Sequence, residues 1–197
     1  MVAEIIIGEG ITEKYYFLSL RDVLATKPTP IVLKPYNMAE LEKTIKQCAK
    51  DGYTKIHCLI DMDNKLVSPN KERYQRLKSK YHKKCVKRTD CEVYFWESHP
   101  SIELFFYYYF EMSTAEKSND GLKSWLGHKF GYEVSEKYFK KSLHGEITNK
   151  GGCLKDAISH AKKSVRLRDG DNYNCSYTEL GELIETLGLK QASTETK

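Results

Sequence analysis

The sequence predicts an α/β fold: an open, mainly parallel four-stranded sheet with flanking helices, followed by a C-terminal helical extension. Strand-like apolar runs alternate with helical periodicities over the first hundred residues, an order typical of a parallel sheet. The first run is almost continuously Ile, as expected for a strand that is buried on both faces. Beyond residue 100 only helical patterns and turns follow, which predicts a helical second half.

The first strand is predicted over residues 2–7, and it ends in an acidic residue between two glycines, Gly8-Glu9-Gly10. Glycines at this place let another backbone or a phosphate approach closely. Neither the dinucleotide-binding fingerprint nor a P-loop fits the residues that follow these glycines. A helix is predicted next, because the apolar positions of residues 11–18 keep helical spacing. Taken alone, Glu9 would be interpreted as a solvent-facing side chain at a strand end.

The second strand is predicted over residues 30–34, and a helix follows it, with apolar side chains at helical spacing from 41 to 48. Asn37 and Glu40 are spaced like a capping pair at the start of this helix. Gly52 is a typical stop signal at its end.

The third strand is predicted over residues 55–61, and it ends in Asp61-Met62-Asp63. The two aspartates can reach one hard cation while Met62 points the other way, although a simple turn with Asx hydrogen bonds is the alternative. The carboxyl ends of parallel strands share one edge, so Glu9, Asp61 and Asp63 are expected to meet there. Because crowded carboxylates repel unless a cation holds them, this arrangement predicts a site for Mg²⁺, or Mn²⁺, rather than zinc.

A strongly basic segment begins directly after the two aspartates. Between residues 64 and 89 the chain carries ten Lys or Arg and a single Glu, a charge of +9 within a net charge of +5. Such a segment attracts a phosphate backbone, although a merely solvated amphipathic helix is the simpler alternative. A helix is predicted over residues 70–86, with Tyr74 and Tyr81 available to stack or pack. The residues that we predict to contact nucleic acid are Lys65, Lys71, Arg73, Arg76, Lys80, Lys83, Lys84, Lys87 and Arg88.

The fourth strand is predicted over residues 92–97. Pro100 then starts a helix over residues 101–110 that is apolar or aromatic nearly all round, so we expect it to be buried against the sheet. Glu103, near the start of this helix, is a candidate extra metal ligand, although it can equally complement the helix dipole. Further helices are predicted over residues 122–130, 136–143, 153–165 and 177–187.

These acidic motifs carry a resemblance to known proteins. A glutamate after the first strand with an Asp-x-Asp after a later strand resembles the TOPRIM domain of topoisomerases, primases and certain nucleases. More narrowly, residues 9–17 (EGITEKYYF) resemble the opening motif of the RloB-like family of bacterial defence proteins. Residues 98–105 (SHPSIELF) resemble its second block, with His99, Ile102 and Phe105 where the family usually has Asn, Phe and Trp. Residues 169–187 resemble its closing segment more faintly.

The resemblance implies roles for individual residues. Glu9 matches the family's general acid/base glutamate, Asp61 and Asp63 match its magnesium-binding pair, and Glu13 and Glu103 match motif positions without a settled role. We therefore expect a catalytic set of Glu9, Glu13 and Lys14, with Lys14 reaching the cleaved phosphate, and a metal set of Glu9, Asp61, Asp63 and Glu103. The organisation that we expect is a TOPRIM-like catalytic domain over residues 1–112, a helical extension packed on it over 113–190 and, because residues 191–197 are small and polar, a disordered tail over 191–197.

We therefore expect a magnesium-dependent nuclease that acts in bacterial anti-phage defence, on DNA in preference to RNA. The sequence leaves open whether the chain binds a partner protein of the defence system and whether it forms a homodimer. The rival from another class is a non-catalytic nucleic-acid-binding or sensor subunit, which would carry the same acidic and basic pattern. Nucleotidyl transfer, as in primases, is a third alternative that the short chain disfavours.

The composition indicates the compartment. No stretch approaches the apolar length of a membrane span, and no basic-then-apolar leader opens the chain, so we expect a cytoplasmic protein without membrane contact. Six cysteines without a CxxC pair are expected to be reduced thiols. His82, Cys85 and Cys91 lie close in sequence, but their spacing matches no standard zinc knuckle.

Overall fold

Four parallel strands form the centre of the sheet in a computed structural model, which describes residues 3–33, 37–113, 115–168 and 175–190. The strands are β1 (Glu4–Gly8), β2 (Thr29–Val32), β3 (Lys55–Asp61), β4 (Lys84–Cys85), β5 (Glu92–His99) and β6 (Tyr177–Thr178). They lie in the order β2-β1-β3-β5-β4, and β6 also pairs with β5. The pairings among β1, β2, β3 and β5 are parallel, whereas β4 and β6 run antiparallel to β5.

The mainly parallel α/β sheet is therefore confirmed, but the predicted number of four strands is wrong. The two additional strands contain two residues each, too few to show an alternating pattern in the sequence. Residues 82–86, which we assigned to the third helix, leave the helix instead. His82 is extended and Lys83 has a positive φ of 56°, so the chain turns back and pairs β4 with β5.

The helices alternate with the strands in the first half and follow one another in the second half. They are α1 (Ile11–Ser19), α2 (Met38–Lys50), α3 (Asn70–Tyr81), α4 (Glu103–Tyr108), α5 (Asn119–Phe130), α6 (Glu136–Phe139), α7 (Leu143–Asn149), α8 (Leu154–Leu167) and α9 (Leu180–Leu187). The predicted cap of α2 is confirmed, because the Asn37 side chain accepts a hydrogen bond from the Glu40 N–H at 2.8 Å.

Two predicted helices are divided or shortened in the structure by contacts that the sequence did not reveal. The helix predicted over 136–143 is two short helices, because Ser142 caps a new helix by accepting from the Gly145 N–H at 3.1 Å. The helix predicted over 177–187 begins only at Leu180, since residues 177 and 178 pair with the sheet as β6. The C-terminal half thus contributes a strand as well as helices.

Each face of the sheet carries its own hydrophobic core. Alternate residues of β1 separate to the two sides, with Ile5 and Ile7 on the face covered by α2 and α3, and Ile6 on the opposite face. The core on the Ile6 side of the sheet is the larger of the two. It contains most of the aromatic side chains of α1 and α4, together with the apolar sides of α5 to α9. The predicted burial of the residue 101–110 helix is confirmed, because residues 103–108 of α4 are all buried. Within the described ranges, no helix has both the length and the hydrophobicity needed to cross a bilayer.

Candidate functional site

The ends of β1 and β3 lie side by side and bring two acidic residues together. The backbone N–H of Asp61 donates a hydrogen bond to Oε1 of Glu9 at 3.0 Å, although 52 residues separate them in the chain. The Asp61 carboxylate in turn accepts a hydrogen bond from the backbone N–H of Ile102 at 3.1 Å. The loop that follows β5 therefore reaches the same edge of the sheet, as the parallel arrangement predicts.

Glu13 folds back from the first turn of α1 towards the end of β1. Its carboxylate accepts a hydrogen bond from the backbone N–H of Gly10 at 3.1 Å, and the side chain is buried. Gly8 makes this approach feasible, because a Cβ at that position would lie only 2.7 Å from Cβ of Glu13. The glycine before Glu9 thus has a packing role that brings a second glutamate to the edge.

Glu103 joins the same edge from the start of α4. Its two carboxylate oxygens accept hydrogen bonds from the Ser101 hydroxyl at 2.7 Å and the Tyr132 hydroxyl at 2.9 Å. Tyr132 follows α5, so the second half of the chain holds one of the acidic side chains in place. Glu9, Glu13, Asp61 and Glu103 are called the acid cluster below.

Burial and mutual repulsion act on the acid cluster. The pKa of Asp61 lies well above its usual range, because burial and the carboxylates of Glu13, Glu9 and Glu103 all disfavour its charge, while Lys65 opposes them. Burial, followed by the charges of Glu9 and Glu103, raises the pKa of Glu13 to about 7. These carboxylates are therefore close enough to repel one another, which is the condition in which a bound cation stabilises a site most.

Lys65 supplies positive charge directly at the acid cluster. Its ammonium group lies 2.7 Å from Oε1 of Glu9 and donates to the backbone carbonyl of Asp61 at 2.6 Å. The side chain is only 2 % exposed. We predicted that Lys65 contacts nucleic acid, but in the structure it is buried, because a lysine four residues after Asp61 reaches back to the strand end.

Asp63 and Lys14 differ from the acid cluster in their contacts. Asp63 is exposed, and its carboxylate accepts hydrogen bonds from the Asn119 side chain at 2.9 Å and the Asn64 N–H at 2.7 Å. Lys14 is half-buried, with its ammonium 5.8 Å from the centroid of the Tyr15 ring. The predicted Asp-x-Asp pair therefore divides, with Asp61 inside the cluster and Asp63 directed towards α5.

The acid cluster has the donor atoms that suit a divalent cation, but its side chains are not arranged around a single metal position. All four side chains offer carboxylate oxygens, the donors that Mg²⁺ prefers, and their repulsion favours a cation. In the described part of the chain, however, no group of three or more acidic, histidine or cysteine side chains stands ready to hold one metal ion. Lys65 provides the cation at Glu9 in this arrangement.

The remaining basic residues predicted to contact nucleic acid lie on the protein surface. They are called the basic face and comprise Lys71, Arg73, Arg76, Lys80, Lys83, Lys84, Lys87 and Arg88, all of them exposed. Lys80 is partly neutralised there by Glu42, at 2.8 Å. The two tyrosines of this segment pack rather than stack on a ligand, since Tyr74 and Tyr81 are buried.

A buried network on the strand beside β3 had no clear signal in the sequence. Glu97, on β5, accepts hydrogen bonds from the hydroxyls of Tyr74 at 2.6 Å and Tyr177 at 2.8 Å. It also pairs with Lys78 and, at 3.4 Å, with Arg168. Burial raises the pKa of Glu97, but Lys78 and the hydroxyl donors outweigh it, so the pKa is lowered overall. This Glu97 network joins α3, β5 and the C-terminal segment.

Glu179 is the second carboxylate of this network. It accepts a hydrogen bond from the backbone N–H of Glu97 at 2.9 Å. Burial, followed by the charge of Glu97, raises its pKa to about 7, whereas a free glutamate titrates near 4.5. The resemblance in residues 176–180 was the signal in the sequence that pointed to this segment.

We expect the Glu179→Gln substitution to flatten part of the pH dependence of stability. Because the folded protein binds the Glu179 proton more tightly than the unfolded chain, this group makes the free energy of unfolding fall as pH rises from about 4.5 to 7. The difference in free energy of unfolding between the variant and the parent should therefore shift in favour of the variant by about 1–3 kcal/mol as pH rises from 5 to 8. Urea unfolding at both pH values measures this, and Glu182→Gln, an exposed glutamate of α9, is the control. An equal pH dependence in both variants would contradict the raised pKa.

A comparison with known proteins adds one finding. The family model described as RloB-like protein matches residues 5–187 of this chain, which include every member of the acid cluster and of the Glu97 network. No curated protein and no solved structure matches the chain.

Proposed function

The chain belongs to the RloB-like protein family, and from this premise we propose that it is a divalent-metal-dependent nuclease that hydrolyses phosphodiester bonds in DNA. The observation that carries the proposal is the acid cluster: four carboxylates from three separate parts of the chain meet at the carboxyl edge of a parallel sheet. Maintaining such repulsion in a fold costs stability, so a cluster of this kind indicates a function rather than a packing role.

The residues of the acid cluster differ in what they can do. Asp61 and Glu103, with Glu9 beside them, are the side chains that would hold Mg²⁺ or Mn²⁺, and Asp63 could join them from the following turn. A bound divalent ion supplies a Lewis acid that stabilises negative charge on a phosphate and favours ionisation of water. Glu9 has 16 % of its side chain exposed, more than the buried Glu13 and Glu103, so a substrate can reach it.

We assign proton transfer to Glu9 for this reason. A carboxylate within reach of solvent can accept the proton of a water molecule that attacks phosphorus, and release it to solvent or to the leaving oxygen. Glu13 is held by a backbone donor, so it maintains the electrostatic environment and the position of its neighbours, whereas Ser101 and Tyr132 hold Glu103 in the position from which it would bind the ion. Lys14, a half-buried residue of α1, remains our candidate for a contact with the cleaved phosphate.

The basic face supports a nucleic acid as the substrate class. Eight exposed Lys or Arg side chains follow the strand that carries Asp61, and their positive charge would attract a phosphate backbone. We place the activity in bacterial anti-phage defence, together with a partner protein of the same system, on the family resemblance alone.

The proposal is tested by incubating the purified protein with labelled single-stranded DNA, double-stranded DNA and RNA. Mg²⁺ or Mn²⁺ is titrated into each reaction, with a chelator as the blank. We expect cleavage of DNA that requires the divalent ion. Binding to the same substrates without cleavage under either ion would instead support a non-catalytic binding or sensor subunit.

One observation favours that second function. Lys65 already pairs with Glu9, and the described residues present no completed set of three metal ligands. A subunit that binds nucleic acid without cutting it would need the basic face and could keep the acid cluster neutralised by lysine. The titration above separates the two functions directly.

We expect charge reversal on the basic face to weaken DNA binding independently of cleavage. The double substitution Arg73→Glu and Arg76→Glu should lower DNA affinity about 10- to 100-fold at low salt and reduce the slope of log affinity against log salt by about 2. Fluorescence anisotropy in a chelator measures both quantities without cleavage. The matched control is Lys140→Glu with Lys141→Glu, which changes the net charge equally at two exposed sites of the helical extension. Equal losses in both double variants would show that net charge, rather than the basic face, determines binding.

A further inference from the structure

We propose that Lys65 is an internal competitor of the divalent cation, and that its ammonium group sets the metal affinity of the acid cluster by occupying Glu9. This inference rests on the proposed function, because it assumes that the cluster takes a divalent ion. It goes beyond that function by assigning a role to a lysine that neither the sequence motifs nor the surface charge explains.

The contacts of Lys65 are those of a bound cation. The ammonium group lies 2.7 Å from a carboxylate oxygen of Glu9 and 2.6 Å from the carbonyl oxygen of Asp61, and it approaches the amide oxygen of Asn64 at 3.4 Å. Its oxygen donors come from the ends of β1 and β3, the same chain segments that form the acid cluster. Lys65 is also nearly inaccessible to solvent, whereas the other lysines of its segment lie at the surface or are only half-buried.

The charges of the site make the two cations compete at Glu9. A divalent ion on the Glu9 carboxylate would lie within a few ångströms of the ammonium group, and like charges at that separation repel strongly in a desolvated site. Binding of the ion must therefore overcome this repulsion or move the lysine away. A lysine side chain has four flexible carbon–carbon bonds and can change position without a change of backbone.

A neighbouring cavity gives Lys65 a place to move to. This cavity has a volume of about 470 Å³ and is lined by Lys65 itself, by Asn64, Asn70 and Arg73, and by the start of α2. Arg73 belongs to the basic face, so a lysine that leaves Glu9 would enter the side of the site that a phosphate backbone approaches. The same movement would thus open Glu9 to metal and add positive charge next to the substrate.

The competing explanation is a fixed ion pair that only orients Glu9. The two explanations predict opposite changes in metal affinity. If Lys65 competes with the ion, removing its charge tightens metal binding, whereas if Lys65 only positions Glu9, removing it loosens the site or leaves the affinity unchanged.

The experiment is a Mn²⁺ titration of the full chain without substrate, followed by electron paramagnetic resonance of the free ion. Lys65→Met removes the charge and keeps most of the length of the side chain, and Lys50→Met makes the same change at an exposed lysine of α2. We expect Lys65→Met to bind Mn²⁺ at least about tenfold more tightly than the parent, and Lys50→Met to match the parent. Lys65→Gln, which retains a hydrogen-bond donor, repeats the test if the methionine variant does not fold.

Thermal unfolding supplies a second readout that does not depend on activity. In a chelator, Lys65→Met should unfold at a lower temperature than the parent, and Mn²⁺ should raise that temperature more in the variant. Unchanged or weaker Mn²⁺ binding in both Lys65 variants, with measurable binding to the parent, overturns this inference alone. Absence of Mn²⁺ binding in the parent and in every variant overturns it together with the metal requirement of the proposed function.

Discussion

Asp61→Asn should lower metal-dependent DNA cleavage by about 10³-fold while the protein remains folded. The asparagine keeps the shape of the side chain and an oxygen that can accept the hydrogen bond from the Ile102 N–H. It removes one full negative charge from the centre of the acid cluster, where a divalent ion would need it most. Initial cleavage rates in saturating Mg²⁺, measured beside the parent, give the ratio.

The same variant should be at least as stable as the parent near neutral pH. Because the pKa of Asp61 is raised in the folded state, its ionised form opposes folding above the pKa of the unfolded chain, and a neutral amide relieves this. Loss of activity with unchanged or increased stability distinguishes a functional carboxylate from a structural one. Asp90→Asn, at an exposed aspartate, is the control and should change neither quantity. Cleavage by Asp61→Asn at the parental rate would show that the acid cluster is not the active site.

Glu97→Ala should destabilise the protein by about 3–5 kcal/mol. The substitution leaves the charges of Lys78 and Arg168 without their shared carboxylate and removes the acceptor of two tyrosine hydroxyls. This loss is costly, because two buried hydroxyls lose their acceptor and the partly buried charges of Lys78 and Arg168 lose a buried carboxylate. Urea unfolding of the metal-free protein at pH 7 measures the change.

Glu42→Ala provides a closely matched control. Glu42 also contacts two lysines and a tyrosine hydroxyl, Lys46 and Lys80 at 2.8 Å and Tyr81 at 3.1 Å, but it lies at the surface between α2 and α3. Exposed pairs of this kind contribute under about 1 kcal/mol, because water and salt screen them. A loss after Glu97→Ala as small as that after Glu42→Ala would contradict the structural importance of the Glu97 network.

The strands and the meeting of Glu9 with Asp61 could be predicted from the sequence because both follow from short-range patterns. An Ile-rich run marks a strand buried on both faces, and parallel strands share an edge by necessity. Glu103 was predicted at that edge for the same reason, since it follows the next parallel strand. Each of these inferences needed only the order of the elements and the place where each one ends.

The features that the sequence did not reveal depend on contacts between distant segments. Nothing in a basic run distinguishes Lys65, which turns inward to Glu9, from the exposed lysines that follow it. The pairing of β6 with β5 and the meeting of Glu97 with Glu179 join residues about 80 positions apart, beyond the reach of any periodicity. The end of α3 at Tyr81 was missed because the hairpin after it uses left-handed backbone at Lys83 and Arg88.

The pairing of β6 with β5 has a consequence for biosynthesis. A ribosome releases the chain from its N-terminus, so Glu9, Asp61 and Glu97 emerge well before Tyr132 and Tyr177. Until those late residues have emerged, Glu103 and Glu97 each miss a hydroxyl donor that the finished protein provides. The nascent polypeptide therefore cannot complete these contacts until Tyr132 and Tyr177 have left the ribosome.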